Sequence, residues 1–274
     1  MPNYELKPLD FERISKLVYE HCGINLHDGK KELVKARLGK RLREGNFESF
    51  SDYHKFITSE AGTDELVAMI DSISTNLTYF FREESHFQKL RSILAGISTD
   101  RDRRGSAKPF KIWSAGCSTG EEPYSLAMTL KECLNGPDRL KVLATDISTR
   151  VLKTAMNGIY PEEKIKNLPL PLVKKYFQIG SGRWSGSFRV KKDLRESVDF
   201  MRFNLMDQPP PDFTFDAIFC RNVMIYFDKR TQGMLVNRFY HCLQKGGYFF
   251  IGHSESLTGL GHSFKYIEPS VYRK

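Results

Sequence analysis

Two adjacent carboxylates, Glu121 and Glu122, stand directly behind the small-residue run "AGCSTG", and a single aspartate, Asp146, closes an apolar stretch about two dozen residues later. Glycines let a backbone approach a ligand closely, and a helix that follows them offers unsatisfied N–H groups. The turn is no Walker-type phosphate loop, which needs four residues between its glycines and then a lysine; here Gly120 is followed by two acids. Carboxylates at a helix start repel a phosphate and suit a ligand carrying an ammonium or a hydroxyl. The third glycine of a dinucleotide fingerprint is also absent. An acid ending the next strand can accept hydrogen bonds from a ribose, although an aspartate just before Ser148 can equally cap a helix. Together, the turn, the acids and Asp146 point to a phosphate-free nucleoside with a cationic amino-acid end.

The same run also reads as G-x-S-x-G (Gly116, Cys117, Ser118, Thr119, Gly120), the nucleophile-elbow pattern of a serine hydrolase. Asp146 with His241, His253 or His262 would nominally complete a triad in the right order. The context opposes this, because such an elbow lies deep in an established sheet and the region before this one reads as all-helical. Ser118 and Thr119 are better taken as turn residues making local hydrogen bonds.

The elements that must position these residues follow from periodicity. From Asp10 to Ser74 apolar residues recur at three and four, as in Phe11, Ile14, Leu17 and Val18, which predicts about four short helices. "STNLTYFFRE" breaks that pattern before a helix over 84–97, and "STDRDRRGSAKP" (98–109) reads as a solvated connection. From Phe110 short apolar runs alternate with helical patterns, the mark of a parallel sheet with crossover helices. Strands are expected at "FKIWSA", "LKVLATD", "VDFMRFN", "FDAIFC" and "GGYFFIG", with a closing pair near "FKYIEP" and "VYRK". Residues 158–197 interrupt the alternation, and "YFQIGSGRWSGSFRVKKDLRESV" predicts a small antiparallel insertion. With 274 residues and 40% hydrophobic content, the chain can fill a core. The net charge of +9 favours an acidic partner without choosing one. Five scattered cysteines without a C-x-x-C pair suggest a reducing compartment and no zinc. No leader and no membrane-spanning run are evident, so a cytoplasmic protein without membrane insertion is expected.

"WSAGCSTGEEPYSLAM", "ATDIS", "STNLTYFFRE", "FDAIFCRNVMIYFD", "LQKGGYFFIGHSE" and the closing "VYRK" are long, ordered motifs, and together they resemble the chemotaxis receptor glutamate O-methyltransferase (CheR) family over nearly the whole chain. The resemblance implies an α/β fold: a class I, Rossmann-like methyltransferase domain that uses S-adenosylmethionine and releases S-adenosylhomocysteine, with no metal. It divides the chain into a receptor-docking helical domain (1–80), a connecting helix and linker (81–109) and a catalytic domain (110–274) with an antiparallel β-subdomain inserted at about 176–197. The implied reaction esterifies glutamates on the cytoplasmic helices of chemoreceptors. By the same resemblance Asn76, Thr78 and Arg82 reach the cofactor from "STNLTYFFRE", while Tyr79, Phe80 and Phe81 plug the interdomain seam. Glu122, with Glu121 second, takes the cofactor's amino group; Asp146 takes the ribose; Asn204 reads the adenine edge and Leu205 covers its face. Arg221, Asn222 and Tyr226 follow the fourth strand at its ligand-binding end, with Met224, Ile225 and Phe227 as packing. Arg82 and Tyr226 are expected to orient the substrate carboxylate.

Seven Lys or Arg lie between Lys30 and Arg43 against Glu32 alone, and Lys30, Arg37 and Arg41 share a helix face. A solvated surface is the ordinary account of such a run, but the resemblance implies that this face docks receptor helices. Some relatives capture a receptor's C-terminal tail by strand addition, and the insertion is where that would occur. His253 and Glu255 are read as loop structure rather than an acid–base pair, and His241 and Cys242 as structural. The rival readings are a methyltransferase acting on another acidic or RNA substrate, although no aromatic-basic RNA-binding module is visible, and a cofactor-binding module without turnover.

Overall fold

The computed structural model describes residues 4–74, 76–104, 109–134, 140–210 and 212–274. Four helices open it: α1 (Pro8–Cys22), α2 (Lys31–Glu44), α3 (Phe50–Ile57) and α4 (Thr63–Ile73). Local chemistry sets their ends. Proline starts α1 where its missing N–H costs nothing, left-handed Gly23 (φ 72°) stops it, and the Ser49 hydroxyl caps α3 by accepting from Asp52 N–H. Phe11, Ile14 and Val18 of α1 bury against Val34, Leu38, Phe50, Tyr53 and Ile70 in one core. Two cations of α2 find partners on α4. Arg37 donates to the carbonyls of Ser72, Ile73 and Ser74 at the C-terminus of α4, where the helix dipole favours a positive charge. Arg41 pairs with Glu65 of α4, whose carboxylate also accepts from Tyr53. Both arginines therefore have partners within the helical unit, and Lys30 lines the functional cavity.

Helix α5 spans Glu84–Arg104, well past the predicted end at residue 97. "STDRDRR" contains neither proline nor glycine, so the sequence offers nothing there to stop the helix. Next come β1 (Phe110–Ala115), α6 (Glu121–Cys133), β2 (Leu140–Asp146), α7 (Thr149–Asn157) and β3 (Ile159–Pro161). They are followed by α8 (Glu162–Ile165), α9 (Leu170–Tyr176), β4 (Phe177–Ile179), β5 (Ser187–Val190) and α10 (Lys192–Arg195). The chain then runs through β6 (Val198–Arg202), β7 (Phe215–Cys220), α11 (Lys229–Cys242), β8 (Leu243–Ile251), β9 (Lys265–Glu268) and β10 (Val271–Arg273).

The main sheet is seven-stranded in the order β6-β2-β1-β7-β8-β10-β9. Its first five strands are parallel, and β10 and β9 close it antiparallel. The order reverses at β1, which has β2 on one side and β7 on the other, and this is where an open α/β sheet leaves a crevice for a ligand. Both faces are covered, as the near-continuous apolar strands require. One face packs Ile112, Phe219 and Phe250 against Leu126 and Leu130 of α6 and Phe87 and Leu90 of α5. The other packs Trp113, Ile218 and Phe249 against Leu235 and Phe239 of α11. The insertion is a three-stranded antiparallel sheet, β3-β5-β4, and it draws in Ile159–Pro161 as well as the expected pieces. No helix among the described residues is long and apolar enough to cross a membrane.

Candidate functional site

A cavity of about 320 Å³ lies at the carboxyl ends of β1, β2 and β7. Its walls also include Ile24 to Leu26, from the turn after α1, and Asn76 to Thr78 with Arg82, from the segment after α4. The backbone of β1 turns sharply into α6 to form the floor. Gly116 and Cys117 donate their N–H groups to Thr145, and Gly116, Ser118 and Gly120 are all left-handed (φ 85°, 49° and 95°). At Gly116 a side chain would be strained by the backbone and would force Val223 to move, because a Cβ would lie 2.4 Å from its Cγ2. Ser118 spends its hydroxyl on the carbonyl of Asn76, 3.3 Å away, so it serves as a turn residue and not as a nucleophile.

Asp146 lies against this loop. Its carboxylate accepts from the N–H groups of Ser118 (2.8 Å) and Ser148 (2.9 Å), and burial raises its pKa above the usual carboxylate range. Those two bonds fix the carboxylate and leave lone pairs for a ligand at the cavity wall, of which Asp146 is part. The helix is capped by Ser148, whose hydroxyl accepts from Val151, so the capping role first weighed for Asp146 falls to its neighbour.

The two adjacent acids separate cleanly. Glu122 lines the cavity, accepts from Ser114 Oγ at 2.6 Å and meets Arg221 Nη1 at 3.1 Å. Burial pushes its carboxyl pKa up, with Arg221 and Ser114 pulling it back. Glu121, the second candidate, is a correction: it is fully buried off the cavity, where its carboxylate accepts from Thr119 Oγ1 and meets Lys164 of α8 at 2.9 Å.

Arg221 is the centre of the site's electrostatics. Its side chain is 1% exposed and divides its donors among Glu122, Glu83 (3.0 Å) and the carbonyl of Arg82. Arg221 lines the cavity itself and also fixes Glu122 there. Burial would raise the pKa of Glu83, but Arg221 and the N–H of His253 outweigh that and hold it below its ordinary range. Glu83 is left-handed (φ 59°), as is Phe81 (φ 53°), so Arg82 sits between two residues in a conformation that non-glycine residues rarely adopt. The ion pair to Arg221 and the bond from Phe81 N–H to Ser125 Oγ hold this segment. Arg82 donates Nη1 to the carbonyl of Leu77 and lies 5.8 Å from the Tyr79 ring centre.

Asn76, Thr78, Asn204, Leu205, Asn222 and Tyr226 also line the cavity. Asn204 is more committed than expected: its amide nitrogen donates to His21 O (2.6 Å) and its oxygen accepts from Met206 N–H. Asn222 is left-handed, and its N–H donates to Glu255 Oε2 (2.9 Å). Glu255 accepts as well from the N–H groups of Gly252 and Ile225, so it is a loop clamp, as the sequence suggested. Met224 and Phe227 are packing residues, but Ile225 is not, since it is half exposed at the cavity mouth. Phe80 packs edge-on to Tyr160 and Phe177, and Phe81 onto Phe87, whereas Tyr79 leaves half its surface in solvent. Glu83, Ser114 and Lys164 were not singled out from sequence, because their partners lie at least eight residues away and in two cases far across the chain.

Glu83, His86 and His253 bring carboxylate and imidazole atoms within 4.8 Å of one another. Arg221 already supplies the cation there, and a divalent ion would have to displace it. His86 is 1% exposed, packed edge-on to Phe250 and His253. Burial, then the Arg221 charge, pushes its pKa down to about 3, against the partial pull of Glu83. Between that value and the ordinary 6.5 the unfolded chain binds a proton that the folded chain refuses, so acidification destabilises the fold. The slope is about 1.4 kcal/mol per pH unit below about pH 6.5. Melting temperature should thus fall more steeply from about pH 6.5 to 4 in the unaltered protein than in His86→Phe. Parallel curves would remove His86 from the acid response.

Residues 76–273 match the family model described as "CheR methyltransferase, SAM binding domain", and residues 9–74 match "CheR methyltransferase, all-alpha domain". The chain is 43% identical over 276 residues to a chemotaxis protein methyltransferase of Borreliella burgdorferi, covering 99% of this chain and 96% of that one. It is 43% identical to the Escherichia coli protein of that name (97% and 91% covered) and 42% identical to chemotaxis protein methyltransferase 2 of Pseudomonas aeruginosa (96% and 92%).

Proposed function

We propose, from the premise that this chain belongs to the CheR methyltransferase family, that it transfers a methyl group from S-adenosylmethionine to glutamate side chains on the cytoplasmic helices of chemoreceptors. The observation that carries the reading is the pair of carboxylates, Glu122 and Asp146, on one cavity beside the left-handed Gly116–Gly120 turn. That set suits an ammonium at one end and ribose hydroxyls at the other, and it has no cradle for a phosphate. In this reading Glu122 holds the amino group, Asp146 the ribose, and Leu205 with Asn204 borders the adenine. Asn76, Thr78 and Asn222 complete the pocket, and Arg221 fixes Glu122.

Bound S-adenosylmethionine supplies an electrophilic methyl group on a sulfonium. An acceptor glutamate has an ordinary pKa of ~4.3 and is ionised at neutral pH, so the protein needs no general base. With the cofactor bound, the transfer would form the acceptor's O–C bond and break the S–C bond, so the charges of carboxylate and sulfonium would be lost together. Residues that strongly stabilised either charge in the reactants would raise the barrier. Arg82 and Tyr226 therefore act by orienting the carboxylate in line with the methyl group, and alignment of this kind can supply ~7 to 11 kcal/mol. The reaction belongs to the cytoplasm, where receptor helices present their glutamates.

The test is incubation with methyl-labelled S-adenosylmethionine and receptor-rich membranes, followed by base. Receptor-dependent, base-labile methanol is the expected result. Cofactor binding without such esters would overturn the reading in favour of another acceptor or of a module without turnover.

A further inference from the structure

Three exposed apolar side chains at and beside the cavity mouth are unused by the reaction as described. Leu77 is 71% exposed, and Tyr79 and Ile225 are each 50% exposed, although all three belong to segments that are otherwise held firmly. Leu77 and Ile225 both line the mouth, Leu77 on the segment after α4 and Ile225 on the turn after β7. Tyr79 stands beside them through Arg82, which lines the cavity and lies 5.8 Å from its ring centre. Their backbones are pinned: Arg82 donates to Leu77 O, Lys164 to Thr78 O (2.7 Å), and Ile225 N–H to Glu255 (3.2 Å). Large apolar side chains presented on a rigid backbone around a polar cavity are the makings of an interface, because little ordering cost remains when a partner covers them.

The geometry points to an apolar lip, Leu77, Tyr79 and Ile225, that grips the helix around the glutamate to be methylated and thereby selects it. This rests on the proposed methyl transfer to helical glutamates. The occupant is one helix of the receptor, its reacting carboxylate entering between Arg82 and Tyr226. On a helix the residues three and four positions either side of that glutamate share its face, so they are the ones that meet the lip. They must be small or apolar to do so. The cationic groups on the cavity wall, Arg82 and Lys30, complement the entering carboxylate, and the lip surrounds them with surface that discriminates against polar flanks.

The experiment compares the full-length protein with the double variant Leu77→Asn, Ile225→Asn on receptor-rich membranes and on helical peptides. Each peptide carries one glutamate, with alanine and leucine or with glutamine at the flanking positions. The double variant is expected to lose about 10- to 100-fold in kcat/KM on receptor, mostly through KM, with S-adenosylmethionine affinity and melting temperature unchanged. The unaltered protein should prefer the apolar-flanked peptide, and the variant should lose that preference. An unaltered protein that methylates receptors while the variant matches it, or an equal rate on both peptides, overturns the lip and leaves the methyl transfer standing. An unaltered protein that forms no receptor esters overturns both.

Discussion

Arg221→Met is expected to abolish methyl transfer and to cost the fold ~3 to 5 kcal/mol, the loss typical of removing one partner from a buried ion pair. The reason is that the guanidinium neutralises two carboxylates at once, Glu122 at 3.1 Å and Glu83 at 3.0 Å, with its side chain 1% exposed. Without it both acids are left in a desolvated site and must take up protons or move apart. Moving apart displaces Glu122 from the cavity and releases the left-handed turn that carries Arg82. Arg221→Lys keeps the charge but not the fork of donors, so it should recover only part of the stability. Denaturant titration, cofactor calorimetry and the esterification assay give the three readouts. Adding Glu83→Gln and Glu122→Gln to Arg221→Met removes the unpaired charges and should return stability without returning turnover. Were the single variant to unfold at the same denaturant concentration as the parent, the network described above would not be what holds the site.

Arg82→Ala is expected to act on rate instead. Arg82 is only partly buried, and its partners are one carbonyl and one ring face, so its removal leaves no buried charge behind. The fold should hold. Misplacing the acceptor carboxylate by about 1 Å can cost ~100-fold, and kcat is expected to fall by about that factor. Tyr226→Phe removes a hydroxyl worth about one hydrogen bond, and a fall of about 10-fold is expected. Cofactor affinity should change much less than kcat in both. Should both variants retain full turnover with unchanged cofactor binding, the orienting role would belong elsewhere.

How far the sequence reached depended on the range of the interaction. Strand and helix positions follow from local periodicity, and the strands at Phe110, Leu140, Val198, Phe215 and Val271 stand where the alternation put them. The glycine turn was readable because left-handed backbone leaves a compositional trace at Gly116 and Gly120. Which of Glu121 and Glu122 faces the cavity was not, since adjacent residues on a helix point about 100° apart and nothing local fixes the rotation. The partners of Arg37 and Arg41 were hidden for a related reason. Periodicity shows that they share a face of α2, but whether that face meets solvent depends on α4, whose last carbonyls and Glu65 claim them. The pairing of Glu83 with Arg221 spans 138 positions, a distance over which a single sequence carries no signal.

The cavity wall has one more consequence, for inheritance. Ile24 bridges to Phe227, Asn25 N–H donates to Tyr226 O at 2.8 Å, and Asn204 donates to His21 O, so the end of α1 with the turn after it and the loops after β6 and β7 share a single seam beside the cavity. The two units are therefore poor cassettes. A chimera that exchanged the helical unit for that of a relative would import a new wall for the old pocket, and only exchanges that carry the matching turn after α1 would preserve it.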